Sequence, residues 1–283
     1  MTLVNSLCGL TLPPTILAAH EPECDACQAP ITIGHTLLDD DVVTVDMSSR
    51  APHVLAVRPD MGRYSDKSSA PLGRLIQSMS KRNVQVDVLR ATAFENHLVT
   101  KTTVSGDKVI SRFHEQMMAV LEAGLEWGST TRPVRVLVID DLRVVIRQLR
   151  ERAHRKASRR SFRRARDARQ WVDPMQLLRD IVLYGGFTGH VLIASTDSTD
   201  WLSRDLRDWF GTRLLLGPVQ NPAAQIRALF GSSWQREAAI YEETAVSRST
   251  ATPWNHGVMT RNGELVDVEL SPDPNPFSDP EWW

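Results

Sequence analysis

The sequence predicts an α/β protein in three layers, a mainly parallel sheet between helices, with an antiparallel hairpin near the C-terminus. Three observations carry this. Mostly apolar runs at residues 53–57, 134–139 and 190–194 are short and rich in β-branched side chains, as strands buried on both faces are. Between them lie stretches whose apolar residues recur every three or four positions, the spacing of a helix face. Asn262-Gly263 stands between two β-like runs, where a two-residue hairpin turn belongs. Strands alternating with helices imply parallel pairing, because each crossover covers a sheet face.

The first 35 residues, with Pro13, Pro14, Pro22 and Pro30, read as irregular. They hold Cys24 and Cys27, with His20 and His35 nearby. A zinc site needs four ligands and there is one cysteine pair, so zinc is not expected. Val42, Val43 and Val45 read as a strand, and residues 53–57 as a second, stopped by Arg58-Pro59. A polar loop at 60–69 leads to a helix stripe of Leu72, Leu75, Ile76 and Met79, then to a strand through Val84, Val86 and Val88. Strand, helix and strand make a βαβ unit with a right-handed crossover.

Phe113, Met117, Val120, Leu121 and Leu125 line the next helix, and the strand at 134–139 stops at Asp140-Asp141. Asp173-Pro174 suits an N-cap and first helical residue; Met175, Leu178, Ile181 and Val182 form the stripe, and Gly185-Gly186 the expected stop. A strand at 190–194, a helix at 201–210, a strand at 213–216, a helix at 222–230 and the hairpin at 258–270 complete the pattern. The expected organisation is an irregular segment at 1–41, one domain at 42–270 with a basic insertion at 143–172, and a mobile acidic tail at 271–283.

The chain has 283 residues and a formal net charge of −1, which seems to argue against a polyanionic partner. The distribution argues otherwise. Residues 143–169 hold twelve arginines and lysines against Glu151 and Asp167, a local charge of +10 that leaves −11 for the rest. Arg152, Arg155, Lys156, Arg159, Arg160, Arg163, Arg164 and Arg166 recur at three- and four-residue spacings that crowd like charges on shared helix faces. An anion relieves that repulsion. Phe162 and Trp171 are too few aromatics for a base-stacking platform, so DNA would be held by its backbone, with little sequence preference and steep salt dependence. A solvated helix face is the competing reading. No apolar run reaches the 18 residues of a membrane span, and three cysteines with no secretory pattern suit a reducing cytoplasm.

In an α/β sheet, ligands sit beyond the carboxyl ends of the strands. The strand ending at Asp140-Asp141 has the form of a Walker B element, which delivers a carboxylate to Mg²⁺. The loop after residue 57 lies where a Walker A loop belongs, with Lys67-Ser68 as its Lys-Ser pair. Glycine is needed before that lysine so that backbone N–H groups can wrap phosphate, and the position holds Asp66.

Taken together, Pro52-His53-Val54-Leu55-Ala56-Val57, the strand at 84–89, Asp140-Asp141, the strand running to Ser195-Thr196 and Phe210-Gly211-Thr212-Arg213-Leu214 resemble the FtsK/SpoIIIE-type DNA-pumping ATPases, nearest the FtsK-like proteins of actinobacterial plasmids and phages. The resemblance covers roughly residues 42–275. It implies a RecA-like P-loop NTPase fold and sites for ATP and Mg²⁺. Lys67, Ser68, Ser69, Asp140 and Thr196 would then lie at the nucleotide, with Ser68 and Asp140 on the metal. Asp141 would orient the attacking water, and Arg213 or Arg207 would reach a neighbouring subunit. Asp66 for glycine, Asp141 for glutamate and Thr196 for glutamine depart from the family pattern, which points to a motor fold with weakened or lost hydrolysis. An active hexameric translocase and a non-enzymatic assembly protein remain open as alternatives, with a homo-oligomer or a partner motor as the expected associate.

Overall fold

A computed structural model describes residues 31–36, 41–45, 51–58, 85–90, 95–98, 103–122, 135–160, 173–217, 222–246, 256–261 and 264–270. Its strands are β1 (Ile31–Thr36), β2 (Val42–Val45), β3 (Val54–Val57), β4 (Gln85–Arg90), β5 (Glu95–Leu98), β6 (Thr103–Ser105), β7 (Arg135–Asp140), β8 (His190–Thr196), β9 (Thr212–Leu216), β10 (His256–Arg261) and β11 (Glu264–Leu270). Its helices are α1 (Gly106–Glu122), α2 (Leu142–Arg160), α3 (Pro174–Thr188), α4 (Arg204–Asp208), α5 (Pro222–Phe230) and α6 (Gln235–Val246).

All eleven strands join one sheet in the order β2-β1-β11-β10-β9-β3-β8-β7-β4-β5-β6. The five central strands, β9 to β4, are parallel. Antiparallel strands extend both sides, β10, β11, β1 and β2 on one and β5 and β6 on the other. This is the expected α/β class with its C-terminal hairpin, in which β10 and β11 pair as far as Arg261↔Glu264, while the predicted turn residues 262–263 lie outside the described residues. The strands read as one crossover unit, β3 and β4, are not neighbours, since β8 and β7 lie between them.

Successive strand residues point to opposite faces, and the core divides accordingly. Leu55, Val57, Leu137, Ile139, Leu192 and Ala194 pack against Phe113, Met117, Val145, Ile181 and Ile226 from the helices. The other face presents smaller, mostly β-branched residues, among them Val54, Val86, Val136, Val138 and Ile193, and is equally buried.

Several expectations are corrected. Residues 31–36, read as irregular, form strand β1 against β11. The segment read as a basic insertion begins as an integral helix, because Val145, Ile146 and Leu149 of α2 are buried. Gly185-Gly186 does not end α3. Its N-cap is Asp173, as expected, but it runs to Thr188 and stops at Gly189, whose φ of 69° is left-handed. Gly185 is glycine for space: a Cβ there would lie 2.3 Å from the His190 carbonyl oxygen. The helix expected at 201–210 is confined to α4 and begins after Ser203, whose Oγ accepts from the Leu206 N–H. Helix α6 and strands β5 and β6 are additional to the sequence reading. The predicted helix at 72–82, the cysteine pair and the C-terminal tail lie outside the described residues.

Candidate functional site

Three parallel strands end side by side and deliver Arg58, Asp140 and Ser195 to one point. Val57 pairs with Thr196, Ile139 with Ala194, and the Arg58 N–H donates to the Thr196 carbonyl at 2.8 Å. Arg58 follows a wholly apolar strand and is only 5% exposed. A buried guanidinium demands a counter-charge. Its Nη2 donates to Asp140 Oδ1 at 2.5 Å and to Ser195 Oγ at 2.7 Å. Ser195 Oγ donates in turn to Asp140 Oδ1 at 2.8 Å and accepts from the Asp141 N–H at 3.0 Å. The serine hydroxyl thus spends its one donor and both lone pairs inside the cluster. Burial pulls the Arg58 guanidinium below its ordinary value, and the neighbouring Asp140 carboxylate works against that. Arg58 Nε and Nη1 have no hydrogen-bond partner among the described residues.

Asp141, the second acid, has a φ of 61°, the only positive φ outside glycine among the described residues. Aspartate tolerates this region better than most side chains because it can bond its own backbone. Its Oδ1 accepts from the Val144 N–H at 3.1 Å and its carbonyl from the Val145 N–H at 3.1 Å, so it caps α2. Burial raises its carboxyl above the usual range, the Val144 N–H opposes this, and Asp197 and Asp140 add to the rise. One oxygen of the predicted water-orienting group is therefore committed to the helix. The hydroxyl of Thr196, at the predicted sensor position, donates to the Ser198 carbonyl at 3.0 Å. Asp197 pairs with Arg143 at 3.1 Å.

Arg213 lies elsewhere, on β9 at the level of Leu55, short of the strand ends. Its Nη1 donates to Asp208 at 3.0 Å and to the Leu229 carbonyl at 3.2 Å, and its guanidinium lies over Phe230. That is the local salt bridge an arginine beside Asp208 would form in the absence of a neighbouring subunit. Lys67, Ser68 and Ser69 lie outside the described residues, as do Arg163, Arg164 and Arg166. Arg152 and Arg155 are on α2, half-buried and exposed respectively, and the backbone of Lys156, Arg159 and Arg160 continues the same helix. Arg143, Arg147 and Arg150 are also exposed on its earlier turns.

The sequence reading missed Arg58, taken as a strand stop, and Ser195. The available signal was an arginine directly after an all-apolar strand and an acid closing a second, mostly apolar strand.

Among solved structures, the chain is similar over 94% of its length to the pCW3 conjugation coupling protein TcpA, solved with ATPγS, with a TM-score of 0.57 and 10% identity across 72% of that chain. It is similar over 95% of its length to the cytoplasmic domain of the Thermomonospora curvata Type VII secretion ATPase EccC, with a TM-score of 0.52 and 14% identity. The chain shares the fold of these ATPase domains. EccC ATPases 2 and 3, solved in complex with a signal sequence peptide, match at a TM-score of 0.52 and 15% identity, covering 91% of this chain and 46% of that one. The chain spans only 32% of the EccC cytoplasmic domain. No family model and no curated protein matches it.

In a P-loop ATPase, the Walker B carboxylate shares the hold on Mg²⁺ with a Ser/Thr of the phosphate loop, and of that pair Asp140 is the one among the described residues. Here the described residues do not fit that ion. Asp140 Oδ1 already accepts from Arg58 and Ser195, and the nearest cation is fixed beside it. A divalent ion about 5 Å from that guanidinium would be repelled by about 7 kcal/mol at an effective dielectric of about 20.

Proposed function

We propose that this chain is an FtsK-like motor-fold protein that holds duplex DNA through its phosphate backbone, with weakened or lost ATP hydrolysis, in plasmid or phage transfer, segregation or packaging. The observation that carries this reading is helix α2. It springs from the Walker B strand, buries Val145, Ile146 and Leu149 on one side, and exposes Arg143, Arg147, Arg150 and Arg155 on the other. The cationic run thus starts at the end of the sheet where ligands of such folds gather. Its associate is a second copy or a partner motor. The departures at Asp66, Asp141 and Thr196, together with an Asp140 that already has a cation, support weak or absent turnover.

Two measurements test this. Duplex affinity should fall about 10³-fold or more between 50 and 200 mM salt if six or more phosphates are contacted. Replacing Arg152, Arg155, Lys156, Arg159, Arg160, Arg163, Arg164 and Arg166 by glutamine should abolish it while the far-UV circular dichroism stays unchanged. Affinity that survives those changes overturns the DNA reading. ATP turnover, with and without DNA, should not exceed that of Lys67→Ala; turnover above that control makes the protein an active translocase.

A further inference from the structure

We infer that Arg58 is a built-in replacement for the divalent cation of this site, and that it closes the Walker B carboxylate of this chain to Mg²⁺. The inference deepens the reading of weakened hydrolysis and rests on it, but its geometry stands on described residues alone.

The guanidinium is nine-tenths buried, and its charge-balancing contact is Asp140 Oδ1 at 2.5 Å. A metal ion binding that oxygen would have to displace both Arg58 and the Ser195 hydroxyl. Displaced, the guanidinium would give up its contact with Asp140, and among the described residues the nearby Asp141 already has one carboxylate oxygen engaged in capping α2. Two of its three nitrogens already lack a hydrogen-bond partner among the described residues. Nor can the residue readily swing away, since its backbone N–H is bonded to the Thr196 carbonyl as an extension of the sheet. Ser195 fixes the arrangement from a third strand by bonding Arg58, Asp140 and the Asp141 N–H together. One fixed positive charge already offsets Asp140, and a divalent ion at the same carboxylate oxygen would meet that charge at close range.

The exchange differs from the loss of a ligand. A site that has merely lost a phosphate loop would retain a free acid and would still gather divalent ions weakly. This site has gained a competitor for them. Removing the competitor should therefore restore metal binding, whereas repairing the loop alone should not.

The test uses Mn²⁺ as the probe on the full chain, followed by paramagnetic broadening of the backbone amides of Asp140, Asp141 and Ser195 and by isothermal titration. Wild type should show no broadening at these amides up to millimolar Mn²⁺. Arg58→Gln should bind Mn²⁺ at least tenfold more tightly, Arg58→Gln with Asp140→Asn should return to the wild-type level, and Arg58→Lys, which keeps the charge, should stay there. The inference is overturned if wild type binds Mn²⁺ in a manner abolished by Asp140→Asn, if Arg58→Gln gains nothing, or if the gain survives Asp140→Asn. Should Arg58→Gln fail to fold, the wild-type amides decide: broadening refutes the inference and its absence upholds it. Neither readout involves DNA or ATP turnover, so a failure here is distinct from a failure of the proposed function.

Discussion

Two buried histidines make a quantitative prediction about acid. His53 is fully buried before β3, where its Nδ1 accepts from the Leu192 N–H at 3.0 Å and its ring meets the edge of Phe210. His190, 2% exposed, has its Nδ1 2.9 Å from the Thr188 carbonyl and its ring against Phe113. Burial lowers His53 from 6.5 to about 3 and His190 to about 4. Both are therefore neutral in the folded protein at pH 5, while the unfolded chain takes up a proton at each below about 6.5. Their contribution is fully present above pH 6.5 and is lost as pH falls toward the folded values. Each costs about 1.4 kcal/mol per pH unit in that window, so moving from pH 7 to pH 5 should remove about 4 kcal/mol from the pair. That is a large share of the roughly 5–15 kcal/mol by which a domain is stable. Urea unfolding at half-unit pH steps measures it. Carboxylates add their own pH dependence, so the decisive quantity is the difference between wild type and variants. His53→Gln and His190→Gln should each flatten the slope between pH 6.5 and 5 by about one proton. A wild-type stability that is level from pH 7 to 5, or a slope unchanged by both substitutions, refutes the reasoning.

Arg135 and Asp87 form a buried ion pair joining β7 to β4, with Asp87 wholly inaccessible. Asp87→Ala should cost about 3–5 kcal/mol by stranding the guanidinium, and Asp87→Leu with Arg135→Met should recover most of it, since a packed apolar pair avoids the desolvation; a double-mutant cycle by urea unfolding checks both. Gly185→Ala places a methyl group 2.3 Å from the His190 carbonyl oxygen and 2.9 Å from His53 Cε1. It should lower the melting temperature by more than 5 °C in calorimetry, whereas the same change at half-buried Gly231, whose Cβ would meet only Ser233 Oγ at 4.0 Å, should cost only its positive-φ strain of about 1–3 kcal/mol.

The sheet centre was legible because its strands are buried on both faces, and short β-branched runs such as Val136-Leu137-Val138-Ile139 leave little alternative. Asp173-Pro174 was legible because capping is local chemistry. What escaped depended on partners far along the chain. The Glu-Asn-His-Leu of β5 has no strand pattern of its own and is a strand through its pairing with β4. Gly185-Gly186 looks like a stop, and only the approach of the His190 carbonyl explains a glycine inside the helix. At the site, Asp140 and Thr196 were found at the strand ends where motif spacing put them, but a motif is a string along one segment. The Arg58 cluster is assembled across three strands, 82 positions separating Arg58 from Asp140 and 137 separating it from Ser195. Such a contact is legible only once strand order is known.

The pairing of β1 with β11 has a bearing on how the chain is made. Strand β1 lies between β11 and β2, so the first described strand to leave the ribosome acquires its inner partner only when the last one emerges. The parallel centre can assemble around β3, β8 and β7 before that, but the antiparallel edge has to wait for the hairpin. Nascent chains arrested before residue 264 should therefore carry β1 and β2 without their dock, a window in which chaperone binding and proteolysis compete with completion of the sheet.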